Sequence, residues 1–283
     1  MNHTEKELEL IANKIRIDII KMLVAAGSGH SAGPLGMADI FTAFYFEILN
    51  HDPINPEWVE RDRLILSNGH IVPVRYAAMA ESGYFDVKEL KTLRKLGSRL
   101  QGHPERTKLP GLETTSGPLG SGLAQAAGIA YASKMDDKRF RVYCAMSDGE
   151  QDEGNTWEAA MFVAKYKLSN LTAIVDRNKI QIDGNTENIM PLEPFADKYR
   201  AFNWNVIEID GHNFKEIINA VDKAKSVYDK PTVIIAHTIP GKGVSFMENK
   251  FEWHGKPPTK EEAVLALKEL ELIEKKIKER EDE

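Results

Sequence analysis

Two short polar loops carry the residue types from which a cation–anion site can be built. Ser147-Asp148-Gly149-Glu150 follows the apolar run 142–146, and Asp176-Arg177-Asn178-Lys179-Ile180 follows the run 171–175. Asp148 and Asn178 stand thirty residues apart, the length of one strand-helix-strand unit. In a parallel sheet, ligands collect beyond the carboxyl ends of the strands, and neighbouring strands set two such loops side by side. An aspartate carboxylate, an asparagine amide oxygen and the backbone carbonyl of Ile180 are hard oxygen donors. With two oxygens of a diphosphate they nearly complete an octahedral site for Mg²⁺ or Ca²⁺. Gly149 lets the backbone approach the anion closely. An Asp-Gly turn after a strand is common in any fold; the second loop, at the matching strand end, is what gives the first its weight.

The elements that must position these loops are legible in the hydrophobic pattern. Residues 4–26 read as an amphipathic helix, with Leu8, Ile11, Ile15, Ile19 and Met22 at helical spacing and a capping box formed by Thr4 and Glu7. Gly27 ends it and opens a glycine-rich loop to Pro34, and a second helix is expected over 37–49. Strands are expected at 63–66, 142–146, 171–175, 205–209 and 232–237, with helices at 122–135, 156–166 and 214–227. This alternation predicts right-handed βαβ units around a parallel sheet covered on both faces, an α/β fold. Residues 259–283 are charged and helical in pattern, with Ala263, Leu265, Leu267, Leu270 and Ile273 as apolar content. The expected organisation is one domain over 1–258 and a charged carboxy-terminal helix or tail over 259–283.

Composition narrows the class of function. The chain has 283 residues, 37 basic against 43 acidic, and a net charge of −6, which argues against a nucleic-acid footprint. Its single cysteine, Cys144, suits a reducing cytoplasm and reads as a small buried hydrophobe. No apolar run approaches the ~18 residues of a membrane span, and the first ten residues are too polar for a signal peptide. The expectation is a cytoplasmic protein without nucleic-acid or membrane partners.

The run from Ser147 through Asn178 resembles the thiamin diphosphate-binding motif, with Ser147 where a first glycine is usual. The wider pattern resembles the amino-terminal, diphosphate-binding half of transketolase. In order stand Ser28-Gly29-His30 leading to Gly33-Pro34-Leu35-Gly36, Leu66-Ser67-Asn68-Gly69-His70, Gly102-His103-Pro104-Glu105, Gly117-Pro118-Leu119-Gly120, the two loops above, Ile182-Asp183-Gly184 and Trp253-His254-Gly255. The resemblance covers about residues 10–258. One departure is Ser31-Ala32, where a proline usually follows the first histidine.

That resemblance implies a set of roles. Asp148, Asn178 and the Ile180 carbonyl hold the metal, Mg²⁺ or Ca²⁺, that bridges the diphosphate, and Gly149 packs against it. His70 and His254 approach the cofactor from the substrate side. His30, His70, His103 and His254 line the channel that sugars enter, where imidazoles poised near neutral pH suit proton transfer and oxyanion stabilisation. Gly117 and Leu119 pass beneath the aminopyrimidine. Glu153 sits at a subunit contact, and Glu158 extends that acidic network, although both also read as ordinary acids near a helix start. His3, His51, His212 and His237 are expected to be surface or satisfied residues. Arg94, Arg99 and Lys242 could meet an anionic substrate, with a solvated surface as the default.

In that family the catalytic glutamate and the pyrimidine pocket lie in a second domain, for which no stretch is found here. The expectation is therefore the amino-terminal subunit of a split transketolase. It would act on sugar phosphates with a separate carboxy-terminal, pyrimidine-domain subunit, as a heterotetramer. The competing expectations are a subunit that works on an unusual sugar or sulfosugar, an α-type subunit of a 2-oxoacid dehydrogenase, and a non-catalytic binding subunit.

Overall fold

The computed structural model describes residues 2–280. Its centre is a five-stranded, wholly parallel sheet of β1 (Arg63–Leu66), β2 (Val142–Ser147), β3 (Leu171–Arg177), β6 (Asn205–Asp210) and β7 (Thr232–His237), in the order β1-β2-β3-β7-β6. Between β3 and β6 the two-residue strands β4 (Ile180–Gln181) and β5 (Gly184–Asn185) form a separate antiparallel hairpin. β2 and β3 are direct neighbours, paired Val142 with Leu171 through Ser147 with Asp176. Equal register brings their carboxyl ends, and so the two polar loops, to the same level.

Alternation along the strands divides the interior in two. Leu64, Leu66, Tyr143, Ala145, Ile174, Ile234 and Ala236 point into a core built from the helices Glu5–Ala26, Ala38–Ala43, Val72–Glu81, Phe214–Lys225 and Lys260–Glu279. Ile65, Cys144, Met146, Ala173, Val175, Val233 and Ile235 point the other way, into a core with the helices Ser121–Met135, Gly154–Lys165 and Phe195–Ala201. Cys144 is fully buried there, and burial pushes its thiol well above its ordinary value. Period two in the strands and period 3.6 in the helices suffice to build both layers.

Three expectations are corrected. The 205–209 run forms an edge strand, less buried than its apolar pattern predicts. Only Ile209 is buried among Asn205–Asp210, while Val206 and Ile207 are half-buried against the two cores on its opposite faces. The 37–49 helix breaks into a six-residue α-helix, Ala38–Ala43, followed by a π-helical turn at Phe44–Ile48. The wider turn keeps Phe44, Tyr45 and Ile48 buried where a regular helix drifts off the core. Part of the glycine-rich loop is itself helical, at Ala32–Gly36. The helices Val72–Glu81 and Phe195–Ala201 were not anticipated.

The last helix, Lys260–Glu279, starts with a capping box between Thr259 and Glu262. It packs along Glu5–Ala26, burying Ala263, Ala266 and Leu270, while Asn13 Nδ2 donates to the Leu270 carbonyl at 3.0 Å. Burial of Leu270 alone contributes about 2 kcal/mol. Leu265, expected among its apolar contacts, is 55% exposed instead, lying on the far face from the helix seam. Residues 281–283 of the expected tail lie outside the described residues. Among the described residues no helix is long and apolar enough to cross a membrane.

Candidate functional site

Asp148 follows the last residue of β2 and is fully buried. Its Oδ2 accepts the Lys179 N–H at 2.7 Å and Arg177 Nη1 at 3.1 Å, and its Oδ1 accepts the Gly149 N–H at 2.8 Å. Lys179 reaches it because its backbone is left-handed, φ +62°, turning its N–H back towards β2. Burial pushes the Asp148 carboxyl up to about 6, against the opposing pull of the Lys179 N–H and Arg177. Asn178 Nδ2 donates to Asp176 Oδ2 at 2.7 Å, and its Oδ1 accepts the Ile180 N–H at 3.0 Å. The paired strands β2 and β3 therefore bring Asp148, Asn178 and Ile180 to one end of the sheet. Among the described residues no three His, Cys, Asp or Glu side chains cluster as a cation site. A cation held there would need, beside the Asp148 carboxylate, the Asn178 amide oxygen, a backbone carbonyl and oxygens of a ligand, a donor set that would suit a hard ion such as Mg²⁺ or Ca²⁺.

Two charged residues in these loops were assigned no role from sequence. Arg177 is 2% exposed; beyond Asp148 it donates to Thr186 Oγ1 at 3.0 Å, Glu187 at 2.7 Å and Glu193 at 2.9 Å. Glu150 is fully buried. It accepts the Ser67 hydroxyl and the Gly120 N–H (2.6 Å) on one oxygen, and the Ser147 N–H (3.1 Å) on the other. One carboxylate thus ties the end of β1, the 117–120 loop and the end of β2. The available signal was a charge beside an apolar run. Its partner Ser67 is 83 residues away in sequence, so no local pattern names it.

Three of the four expected histidines converge. Ring centroids lie 4.9 Å apart for His30 and His70, 5.7 Å for His30 and His254, and 5.1 Å for His70 and His254. Ser31 helps to hold this arrangement. Its buried hydroxyl donates to the Lys256 carbonyl at 2.6 Å and joins the His30 loop to the His254 loop, in place of the usual proline. His103 stands apart from the cluster. It is exposed, with Cδ2 3.2 Å from where a Gly69 side chain would begin, at the rim and not in the cluster.

Burial, with help from His254, Arg94 and His103, lowers His30 to about 4. Burial likewise holds His70 well below its ordinary value and lowers His254 and His103, the last with help from Arg94. All four imidazoles are therefore neutral at pH 7, each with one nitrogen able to accept a proton and one able to donate. His51 and His212, expected to be satisfied, are so: His212 bonds Asp39 at 2.6 Å and accepts the Ile239 N–H at 2.8 Å, and His51 bonds Tyr84 at 2.9 Å and the Tyr45 carbonyl at 2.8 Å.

The surrounding polar groups have room for a ligand. Asn68 is fully buried with both amide atoms unpartnered, and the buried His30 Nδ1 is unpartnered too. Such groups are costly unless something polar meets them. Gly117 borders open space, with nothing within 4 Å of an added Cβ, and Leu119 beside it is half-buried. Gly120, by contrast, has φ +79°, and a Cβ there would collide with Asn155 and Glu153, so only glycine can turn the chain into the helix Ser121–Met135. Gly149 meets only Gln181, at 3.4 Å. Glu153 is the exposed N-cap position of Gly154–Lys165, and Glu158 is exposed one turn later.

The sequence matches the family "Transketolase, thiamine diphosphate binding domain" over residues 8–276. It is 44% identical over 271 residues to the 6-deoxy-6-sulfo-D-fructose transketolase subunit SqwG of a Clostridium species, covering 96% of this chain and 98% of that one. It is 41% identical to one of the subunits of the apulose-4-phosphate transketolase of Phocaeicola vulgatus, covering 96% and 97%. Among solved structures it superposes on a transketolase mutant from Pichia stipitis with TM-score 0.87 and 33% identity, and on the Campylobacter jejuni transketolase with TM-score 0.85 and 33% identity. It covers 94% and 98% of itself but only 41% and 48% of those two chains. The chain thus spans nearly the whole of the first two relatives and less than half of the two transketolase chains of known structure.

Proposed function

The chain belongs to the transketolase family through its thiamine diphosphate-binding domain, and from that premise we propose that it is the diphosphate-binding subunit of a two-subunit transketolase. The observation that carries the reading is the convergence of neutral His30, His70 and His254, which Glu150 ties through Ser67 to the Asp148 loop. The pairing with a separate pyrimidine-domain subunit, as a heterotetramer, is supported by relatives named as subunits that this chain matches along nearly their full length. In this reading residues 1–258 are the diphosphate-binding domain, followed by the charged carboxy-terminal segment that carries the helix Lys260–Glu279.

Thiamine diphosphate, when bound, supplies an electron sink for a two-carbon ketol fragment. Asp148, Asn178 and the Ile180 carbonyl would hold Mg²⁺ against its diphosphate, beside Gly149, while Gly117 and Leu119 border the aminopyrimidine. A neutral imidazole of His30, His70 or His254 takes the proton from a sugar hydroxyl, and an N–H of the same cluster stabilises the developing alkoxide. His103 meets the sugar at the rim. Glu153 faces the partner subunit. The named substrates of the first two relatives, a sulfofructose and a sugar phosphate, both carry an anionic group, and we extend that class, a ketose with an anionic end, to this chain.

The test is reconstitution with the pyrimidine-domain partner. Ketol transfer that needs both chains, thiamine diphosphate and Mg²⁺ is expected. Full activity from this chain alone, or none from the pair, overturns the proposal.

A further inference from the structure

We infer that Asp176 is a positioning residue for the cation: its carboxylate, which is not itself a ligand, holds the Asn178 amide with the oxygen on the Ile180 side and ties the ends of three strands together. The inference rests on the transketolase reading above for the identity of the ligand. It adds to that reading the residue that sets a donor before the ligand arrives.

Asp176 is the penultimate residue of β3 and is 1% exposed. Burying a carboxylate is costly unless its oxygens are met. Here both accept from neutral groups, Oδ1 from the Thr238 hydroxyl and Oδ2 from Asn178 Nδ2 at 2.7 Å, so the residue is not kept for an ion pair. Its backbone carbonyl accepts the Asp148 N–H at 3.1 Å. One residue thus touches the loop after β2, the loop after its own strand and the first residue beyond β7.

The bond to Asn178 decides a chemical question. A carboxamide has two ends of nearly equal shape, and only its oxygen has a lone pair to give a cation. Packing does not choose between them, because Asn178 borders a cavity of about 260 Å³ together with Ile180, Asn185 and Thr238. The hydrogen bonds do choose. Nδ2 faces the Asp176 carboxylate, which accepts, and Oδ1 faces the Ile180 N–H at 3.0 Å, which donates. Turning the amide over would break both bonds and set donor against donor. In the observed orientation Oδ1 keeps one lone pair free.

The carboxylate is itself held from β7. Thr238 Cγ2 lies 2.6 Å from where a Gly211 side chain would begin, so the methyl packs against that glycine while the hydroxyl bonds Asp176. The next residue is pinned as well, its Ile239 N–H donating to His212 Nε2 at 2.8 Å. A fixed hydroxyl fixes the carboxylate, and the carboxylate fixes the amide. The expected consequence is selective: losing Asp176 weakens what the cation adds to binding and spares contacts that the diphosphate makes without it.

The experiment titrates the reconstituted pair with thiamine diphosphate by calorimetry, once with Mg²⁺ and once with EDTA. In Asp176→Ala the tightening produced by Mg²⁺ is expected to fall about tenfold or more, the range for a lost outer partner of a metal ligand, with affinity in EDTA within about twofold of wild type. Asp176→Asn should restore the tightening to within about threefold, because its amide oxygen still accepts Asn178 Nδ2 while its NH₂ donates to the Thr238 hydroxyl. Equal weakening in both titrations overturns the proposal, as do an unchanged Mg²⁺ effect and an Asp176→Asn no better than Asp176→Ala. A second measurement needs neither variant of Asp176 nor cofactor. In the full wild-type chain the Asn178 carboxamide protons, identified by their loss in Asn178→Ala, should exchange with solvent at least tenfold more slowly than those of a free amide. Exchange at the free rate overturns the proposal. A pair that binds no thiamine diphosphate would sink the transketolase reading, while this exchange rate still decides whether Asp176 holds the amide.

Discussion

Asp148 and Arg177, from the ends of two neighbouring parallel strands, form an ion pair of 3.1 Å with both side chains sealed from solvent. The geometry divides the carboxylate. Oδ2 is taken up by Arg177 and the Lys179 N–H, while Oδ1 carries only the Gly149 N–H. Oδ1 therefore keeps a lone pair to spare for a cation, and the guanidinium favours the ionised form of the buried aspartate without occupying that oxygen.

Truncating either partner of this pair is expected to do different things. Asp148→Asn keeps an acceptor for the Gly149 N–H but sets an NH₂ against Arg177 and the Lys179 N–H, so the chain should lose about 2 kcal/mol of stability yet stay folded, while its affinity for Mg²⁺ and thiamine diphosphate, read by tryptophan fluorescence or calorimetry, falls by about two orders of magnitude or more. Arg177→Met strands a buried carboxylate and should cost about 3 kcal/mol in urea unfolding. An Asp148→Asn chain that binds the cofactor as wild type does would refute the ligand assignment.

Glu150 holds three loops with one carboxylate. Glu150→Gln replaces an acceptor oxygen by a donating NH₂ that faces the Ser67 hydroxyl and two backbone N–H groups. Loss of about 2 kcal/mol of stability is expected, in the range for bonds to a charged group, together with weaker cofactor binding through the displaced His70 and Gly117 loops. Glu150→Ala with unaltered cofactor affinity and unaltered unfolding would show that the loops hold their places without it.

The histidine cluster sets an acid limit. His30 titrates near 4 in the folded chain and near 6.5 when unfolded. Between these values the unfolded state binds the extra proton, so the contribution of His30 to stability is complete above about pH 6.5 and is lost as pH falls towards 4. The buried carboxyls raised towards 6 and 7, Asp148 and Asp176, act in the opposite sense. The measurement is therefore a difference: the thermal midpoint of wild type minus that of His30→Gln, from pH 7.5 to 4. It should fall on acidification, and a flat difference would show that His30 is not buried as a neutral ring.

The sequence alone determined the layered α/β architecture, the strands that carry the two metal-type loops, and the order of motifs that placed the chain near transketolase. These are local properties. Period-two and period-3.6 patterning, a capping box such as Thr4-Glu7, and residue types at strand ends are all written within about thirty residues of one another. The same locality explains the misses. Whether 205–210 is central or edge depends on which strands flank it, and the π-turn at Phe44–Ile48 depends on the core it must follow.

Tertiary structure alone decided which of the motif residues meet. His30, His70 and His254 lie on three loops spread over 225 residues of chain, and only the parallel sheet and the Ser31–Lys256 bond bring their rings within 6 Å. His103, alike in sequence context, is left at the rim beside Arg94. The roles of Glu150 and Arg177 were equally invisible, because a buried charge is defined by its partners, and those partners come from other strands. Residue type says what chemistry is available; burial and the neighbours that folding supplies say which protonation state and which contacts it has.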